Sequence, residues 1–163
     1  MRSLVVYYSL EGNTRFVAGV LAQAVGADIL ELKVLACAPR GFKKYFWGGR
    51  QVMAKEKPAL APLDRDPAAY DLIWIGTPVW AFSFSPAVRT FVSQTPLKDK
   101  KIALFCCSGG GPGPTLSRMA KELVGNVVVG QKHFVEPLRD KDKNASSARA
   151  WAADVVHVVD SAS

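Results

Sequence analysis

Apolar and polar positions along this chain follow two periods in turn, and the switch between them recurs. Residues 3–8, SLVVYY, form an unbroken β-branched and aromatic run, the pattern of a strand covered on both faces. Phe16, Val17, Val20, Leu21 and Ala24 then return at helical spacing, and Gly26 stands where a helix end favours a left-handed residue. Residues 28–33, DILELK, alternate as a strand does. The apolar runs 70–76 and 101–107 each lead through a loop into a helical pattern, around 86–93 and 116–123. Residues 126–129, continuing to 135, predict a fifth strand, and 145–159 a last helix before a DSAS tail.

Strand, loop and helix in repeated alternation predict an α/β fold: a doubly wound, five-stranded parallel sheet between helices on both faces, a three-layer αβα sandwich. With 163 residues the chain suits one domain, expected over residues 1–160. The stretch 36–63 is too long for a structureless connection. Within it Phe42, Tyr45, Phe46, Gly49, Val52 and Met53 share one helical face, opposite Lys43, Lys44, Arg50 and Gln51, so 42–53 reads as a basic amphipathic helix with Trp47 off its apolar face.

Composition narrows the picture modestly. About half the residues are apolar and about a fifth charged, as in an ordinary globule. No apolar run approaches the roughly 20 residues that span a bilayer, and no leader pattern opens the chain, so a cytoplasmic location is expected, with no membrane partner. The net charge of +7 attracts polyanions, acidic proteins and anionic cofactors alike. Cys37, Cys106 and Cys107 lack metal-ligand spacing and read as reduced, buried thiols.

The chemistry gathers where strands end. In an open α/β sheet, ligands sit beyond the carboxyl ends of the strands, and the first strand-to-helix turn directs backbone N–H groups and a helix dipole at an anion. Here that turn holds Ser9, Leu10, Glu11, Gly12, Asn13 and Thr14. Gly12 permits close backbone approach, while the Ser9 and Thr14 hydroxyls and the Asn13 amide donate to phosphate oxygens. A nucleotide-binding Lys-Ser/Thr pair does not follow Gly12, and the three spaced glycines of a dinucleotide site are missing, which makes ATP and NAD poor candidates for this turn. Two more loops leave the same sheet edge. One runs from Gly76 to Pro86 and carries Thr77, Pro78, Val79, Trp80, Ala81, Phe82 and Phe84; the other, SGGGPGPT, starts at Ser108, Gly109, Gly110 and Gly111. A planar phosphorylated ligand would meet an aromatic face on one side and unobstructed N–H donors on the other.

The motifs SLEGNT, GTPVW and SGGGPGPT resemble the phosphate loop and the two flavin-flanking loops of the flavodoxin-like family, short-chain type, and the resemblance covers essentially the whole chain. It implies a sheet ordered 2-1-3-4-5 and noncovalent FMN. By position, Ser9 to Thr14 would hold the phosphate, Thr77 to Phe82 would run along the ring and ribityl chain with Trp80 stacking, and Ser108 to Gly111 would address the pyrimidine edge. Glu11 replaces a small hydroxyl residue, and its carboxylate is expected to turn away from the phosphate. The basic balance also departs from the acidic electron-carrying flavodoxins.

Three functions follow, with no catalytic side chain and no metal proposed. The favoured one is flavodoxin-type electron transfer; the second is an NAD(P)H-dependent FMN oxidoreductase acting on quinones or similar flat acceptors; the third is a non-enzymatic binding module that uses the basic helix. The expected partner is a redox protein or a small acceptor, not a nucleic acid, and a homodimer is compatible with the sequence. No carboxylate other than that of Glu11 stands in the three loops, so negative charge on a reduced ring should be tolerated. His157 is expected to pack in the last helix, His133 to lie away from the three loops, and Arg15 and Arg89 to face solvent.

Overall fold

The computed structural model describes residues 1–35, 50 and 54–162. The expected helix at 42–53, Trp47 and Cys37 lie outside these, apart from Arg50. The elements are β1 (Ser3–Tyr7), α1 (Asn13–Val25), β2 (Asp28–Glu31), β3 (Leu72–Trp80), β4 (Ser83–Phe84), α2 (Pro86–Gln94), β5 (Lys101–Ser108), α3 (Thr115–Glu122), β6 (Val127–Val135) and α4 (Lys141–Ser161). Five strands form a parallel sheet in the order β2-β1-β3-β5-β6. Counting only these long strands, the order is the expected 2-1-3-4-5. The sixth, β4, folds back antiparallel on the end of β3.

Continuous apolar runs become central strands because both sheet faces are covered. Val5 and Tyr7 of β1 face the cluster closed by Val17 and Leu21 of α1 and Trp151 and Val155 of α4. Leu4 and Val6 face the opposite cluster, closed by Val88 and Phe91 of α2 and Met119 of α3. On the first face Trp74 and Trp151 meet edge to face at 5.1 Å, and Phe105 meets Phe134 the same way at 6.4 Å. Gly26 ends α1 in the left-handed conformation, φ 63°, as its position predicts.

Several sequence-level expectations change. Residues 76–80 extend β3 and do not form a loop. The last helix begins at Lys141, four residues before its apolar pattern, because Asp140 caps it by accepting from Lys143 N–H at 3.2 Å. Arg89 is buried, not solvent-facing: its guanidinium lies 4.3 Å from the Phe84 ring centroid and donates to Glu122 at 3.1 Å. That arrangement satisfies the charge while its stem fills the core. Arg15 is exposed, as expected, and pairs with Glu31. His157 does not pack into the core; it lies on the exposed side of α4, where Val155 and Val159 take the buried positions. Among the described residues no helix is long and apolar enough to cross a membrane.

Candidate functional site: a cleft at the carboxyl edge of the sheet

A cleft of about 400 Å³ opens where β1, β3 and β5 end. Its wall takes Ser9, Leu10, Glu11, Asn13 and Thr14 from the first turn, Pro78, Val79 and Trp80 from the end of β3 with Ala81 just after it, and Cys107, Ser108 and Gly109 from β5 and the loop beyond it. The three segments singled out by their chemistry thus meet in one place. Gly12, Thr77, Phe82, Gly110 and Gly111 are not part of the wall.

The first turn is set by its own polar groups. Gly12 takes φ 96°, a conformation that strains any other residue, and a Cβ there would also touch Leu138 Cδ1 at 3.4 Å. Its N–H donates to Ser9 Oγ at 3.1 Å, which leaves the serine hydroxyl hydrogen available to a ligand. Asn13 Oδ1 accepts from Leu138 N–H at 3.1 Å, which leaves its NH₂ to donate. Thr14 is buried with its hydroxyl against the Cys107 thiol, and burial pushes that thiol up to about 12. The first N–H groups of α1 have no partner inside the helix, and the positive end of its dipole lies at this turn.

The second wall is a tight hairpin. Thr77 is fully buried and serves the fold: its hydroxyl donates to Pro78 O at 2.9 Å and accepts from Ser85 N–H at 2.9 Å. Val79 pairs with Phe84 and Trp80 with Ser83, so Ala81 and Phe82 alone make the bend, both left-handed, at φ 46° and 56°. Two such residues in a row match the primed turn a two-residue hairpin needs, although neither is glycine or asparagine. Arg118 steadies the tip by donating to Phe82 O at 3.1 Å, while Phe82 remains 71% exposed. Trp80 stands on the cleft wall with its ring edge-on to Tyr8, centroids 5.7 Å apart.

The third wall brings two residues that the sequence did not reveal. His133 does not lie away from the loops. It is inside β6 in register with Cys106, and its Nε2 is 2.8 Å from Ser108 Oγ. Burial holds its imidazole below the ordinary histidine range. Ser108 Oγ also reaches Gly110 O at 3.1 Å and Gly111 O at 3.4 Å. Glu136, the first residue after β6, joins the cleft wall. Its N–H donates to Ser108 O at 2.9 Å, and its carboxylate accepts from Arg139 at 3.0 Å. Two acidic residues, Glu11 and Glu136, therefore line a cleft whose loops were expected to add no carboxylate beyond Glu11. The rule that selected the other loops, ligand binding beyond the carboxyl ends of strands, applies equally to the segment after β6 and was the signal for Glu136.

The family profile described as Flavodoxin matches residues 2–143. The chain belongs to the flavodoxin family. Solved structures agree with that assignment. A flavoprotein from Lactobacillus acidophilus NCFM, solved in complex with FMN, is 25% identical at a TM-score of 0.72, covering 85% of this chain and 96% of its own. A chain from Bacteroides eggerthii DSM 20697, ascribed to the flavoproteins, is 23% identical at a TM-score of 0.79, with 95% and 98% covered. Oxidised flavodoxin 2 from Bacillus cereus shares the fold at a TM-score of 0.61 and 15% identity, over 96% of this chain and 99% of its own. No curated protein matches the chain significantly. Within the flavodoxin family's architecture, the cleft sits beside the switch point between β1 and β3, where the sheet reverses its winding.

Proposed function

We propose that this flavodoxin-family chain binds FMN noncovalently in the cleft and works as an electron carrier. The observation that carries the reading is the meeting, around about 400 Å³, of an anion-directed turn, a tryptophan face and a glycine-rich loop. The donor set fits the cofactor. Ser9, Asn13 and the first N–H groups of α1 offer hydrogens to a phosphate without a formal positive charge, and Gly12 keeps the backbone close. Trp80 provides the flat apolar contact for the ring, and the loop from Ser108 provides donors for its polar edge. The Lactobacillus acidophilus relative, solved with FMN, supports the same assignment.

Bound FMN supplies the electron-accepting chemistry, and the protein's part is to hold it, orient it and set the charge around it. The match of the Flavodoxin profile over residues 2–143 supports a carrier over a reductase of quinones. Electrons then pass to a redox partner at the open rim. The chain should purify yellow and release FMN, not FAD. Trp80→Ala should weaken FMN binding about tenfold by loss of stacking, read by flavin fluorescence. Stepwise reduction with dithionite should give a long-lived radical signal. Rapid bleaching by NADPH without a radical would replace the carrier by an oxidoreductase, and a chain that ignores added FMN would end the reading altogether.

A further inference from the structure

The geometry points to His133 as a positioning residue that acts through Ser108 to hold the glycine-rich loop in the shape a ligand meets. Ser108 Oγ lies within reach of three groups, His133 Nε2 at 2.8 Å, Gly110 O at 3.1 Å and Gly111 O at 3.4 Å, yet a hydroxyl has one hydrogen to give. If Nε2 were bare, it would claim that hydrogen and both glycine carbonyls would lose their donor. With the imidazole hydrogen on Nε2, His133 donates to Ser108 Oγ, and the serine hydrogen is shared between the two carbonyls. Only this arrangement satisfies all the contacts, so His133 rests as the Nε2–H tautomer.

The consequence reaches the backbone. In a trans peptide the carbonyl and the following N–H point in opposite directions. Holding Gly110 O on Ser108 therefore fixes the Gly111 N–H on the far side, and Pro112, with no N–H, adds no competing donor. Three successive glycines, Gly109 to Gly111, are the costliest kind of segment to order when a ligand arrives. A histidine on the neighbouring strand, anchored by the ladder between β5 and β6, settles that order beforehand. Ser108 also ties the segment after β6, accepting Glu136 N–H at 2.9 Å, so one serine holds two edges of the cleft.

For the ligand this rests on the FMN reading, but the loop effect is measurable without any cofactor. In ¹⁵N NMR spectra of the cofactor-free full chain, His133 should show a protonated Nε2 and a bare Nδ1. His133→Phe should move or broaden the Gly110 and Gly111 amide signals, and His133→Gln, whose amide can donate, should restore them. With FMN, His133→Phe should weaken binding about 3- to 10-fold, and the His133→Phe/Ser108→Ala double variant should be no weaker than Ser108→Ala alone. A bare Nε2 in the wild type, unmoved glycine amides in His133→Phe, or additive losses in the double variant would overturn the inference. If His133→Phe fails to fold, the wild-type tautomer and the Ser108→Ala amide shifts decide it. Amide shifts as expected together with no FMN binding at all would sink the cofactor reading and leave the hydrogen-bond assignment standing.

Discussion

Gly76 is the position in β3 where the sheet and the cleft depend most directly on an absent side chain. It pairs in register with Tyr7 on one side and Phe105 on the other, and the Phe105 ring lies across it. A methyl group at Gly76 would sit 2.1 Å from Phe105 Cζ and 2.5 and 2.7 Å from the two Cε atoms. Ordinary carbon contacts are about 3.5–4.0 Å, so the ring would have to move by roughly 1.5 Å. It has little room: Phe105 is fully buried and meets Phe134 and Trp151 edge-on at 6.4 and 6.5 Å. Gly76→Ala should therefore fall at the severe end of overpacking, about 3 kcal/mol, which for a domain of this size lowers Tm by about 6–12 °C. Urea unfolding followed by circular dichroism gives the cost. Phe105→Leu opens space where the methyl points, so the double variant should lose at least about 1 kcal/mol less than the two single losses combined. A cost of Gly76→Ala below about 0.5 kcal/mol, or strict additivity with Phe105→Leu, would show that the ring yields freely and that the packing argument is wrong.

Three other outcomes are expected. Arg89→Ala should cost about 2 kcal/mol by denaturant titration, because it removes both the ion pair and the contact over Phe84; Glu122→Gln, at the exposed end of the pair, should cost under about 1 kcal/mol, and equal costs would contradict this burial. Burial raises the Cys106 and Cys107 thiols from 9.0 to about 12; the native state then holds protons that the unfolded chain releases, so their contribution is whole below pH 9 and disappears as pH rises from 9 towards 12. Native protein at pH 8 should accordingly resist iodoacetamide at both thiols, checked by mass spectrometry of peptides. Finally, Ala81→Asn with Phe82→Gly should stabilise the chain by about 1–2 kcal/mol, since both residues now sit left-handed at the hairpin tip; an unchanged unfolding midpoint would mean that the bend stores no strain.

The strands at 3–7 and 101–108 were readable because burial on both faces demands unbroken apolar runs, and such runs have few other uses in a short domain. The far end of β3 was not. GTPVW contains glycine and proline, the usual signs of a strand's end, yet past Gly76 the register with β1 has stopped, and a strand open on one side tolerates a missing N–H. The turn at Ser9 to Thr14 was legible because its polar residues are adjacent in the chain. His133 was hidden by register. Counting straight along from the pair Lys101↔Val127 would set it beside Cys107, whereas the irregularity between Ile102 and Ala103 sets it beside Cys106. A shift of one residue turns a side chain to the other face of the sheet, and nothing in a linear pattern announces it. Arg89 was misplaced for a related reason: charge argues for solvent until a buried ring beneath it and a carboxylate at the surface are found to hold it.

The hydrogen bond from Leu138 to Asn13 joins positions 125 residues apart. A ribosome releases the chain from its amino end, so the turn we propose as the phosphate site emerges early and must wait for the segment around residue 138 before this clasp exists. A nascent chain halted short of residue 138 can form several strands yet cannot make this hydrogen bond. Emergence of the segment after β6, which brings Glu136 to the wall, and not the appearance of the first turn alone, sets the moment at which the cleft is whole.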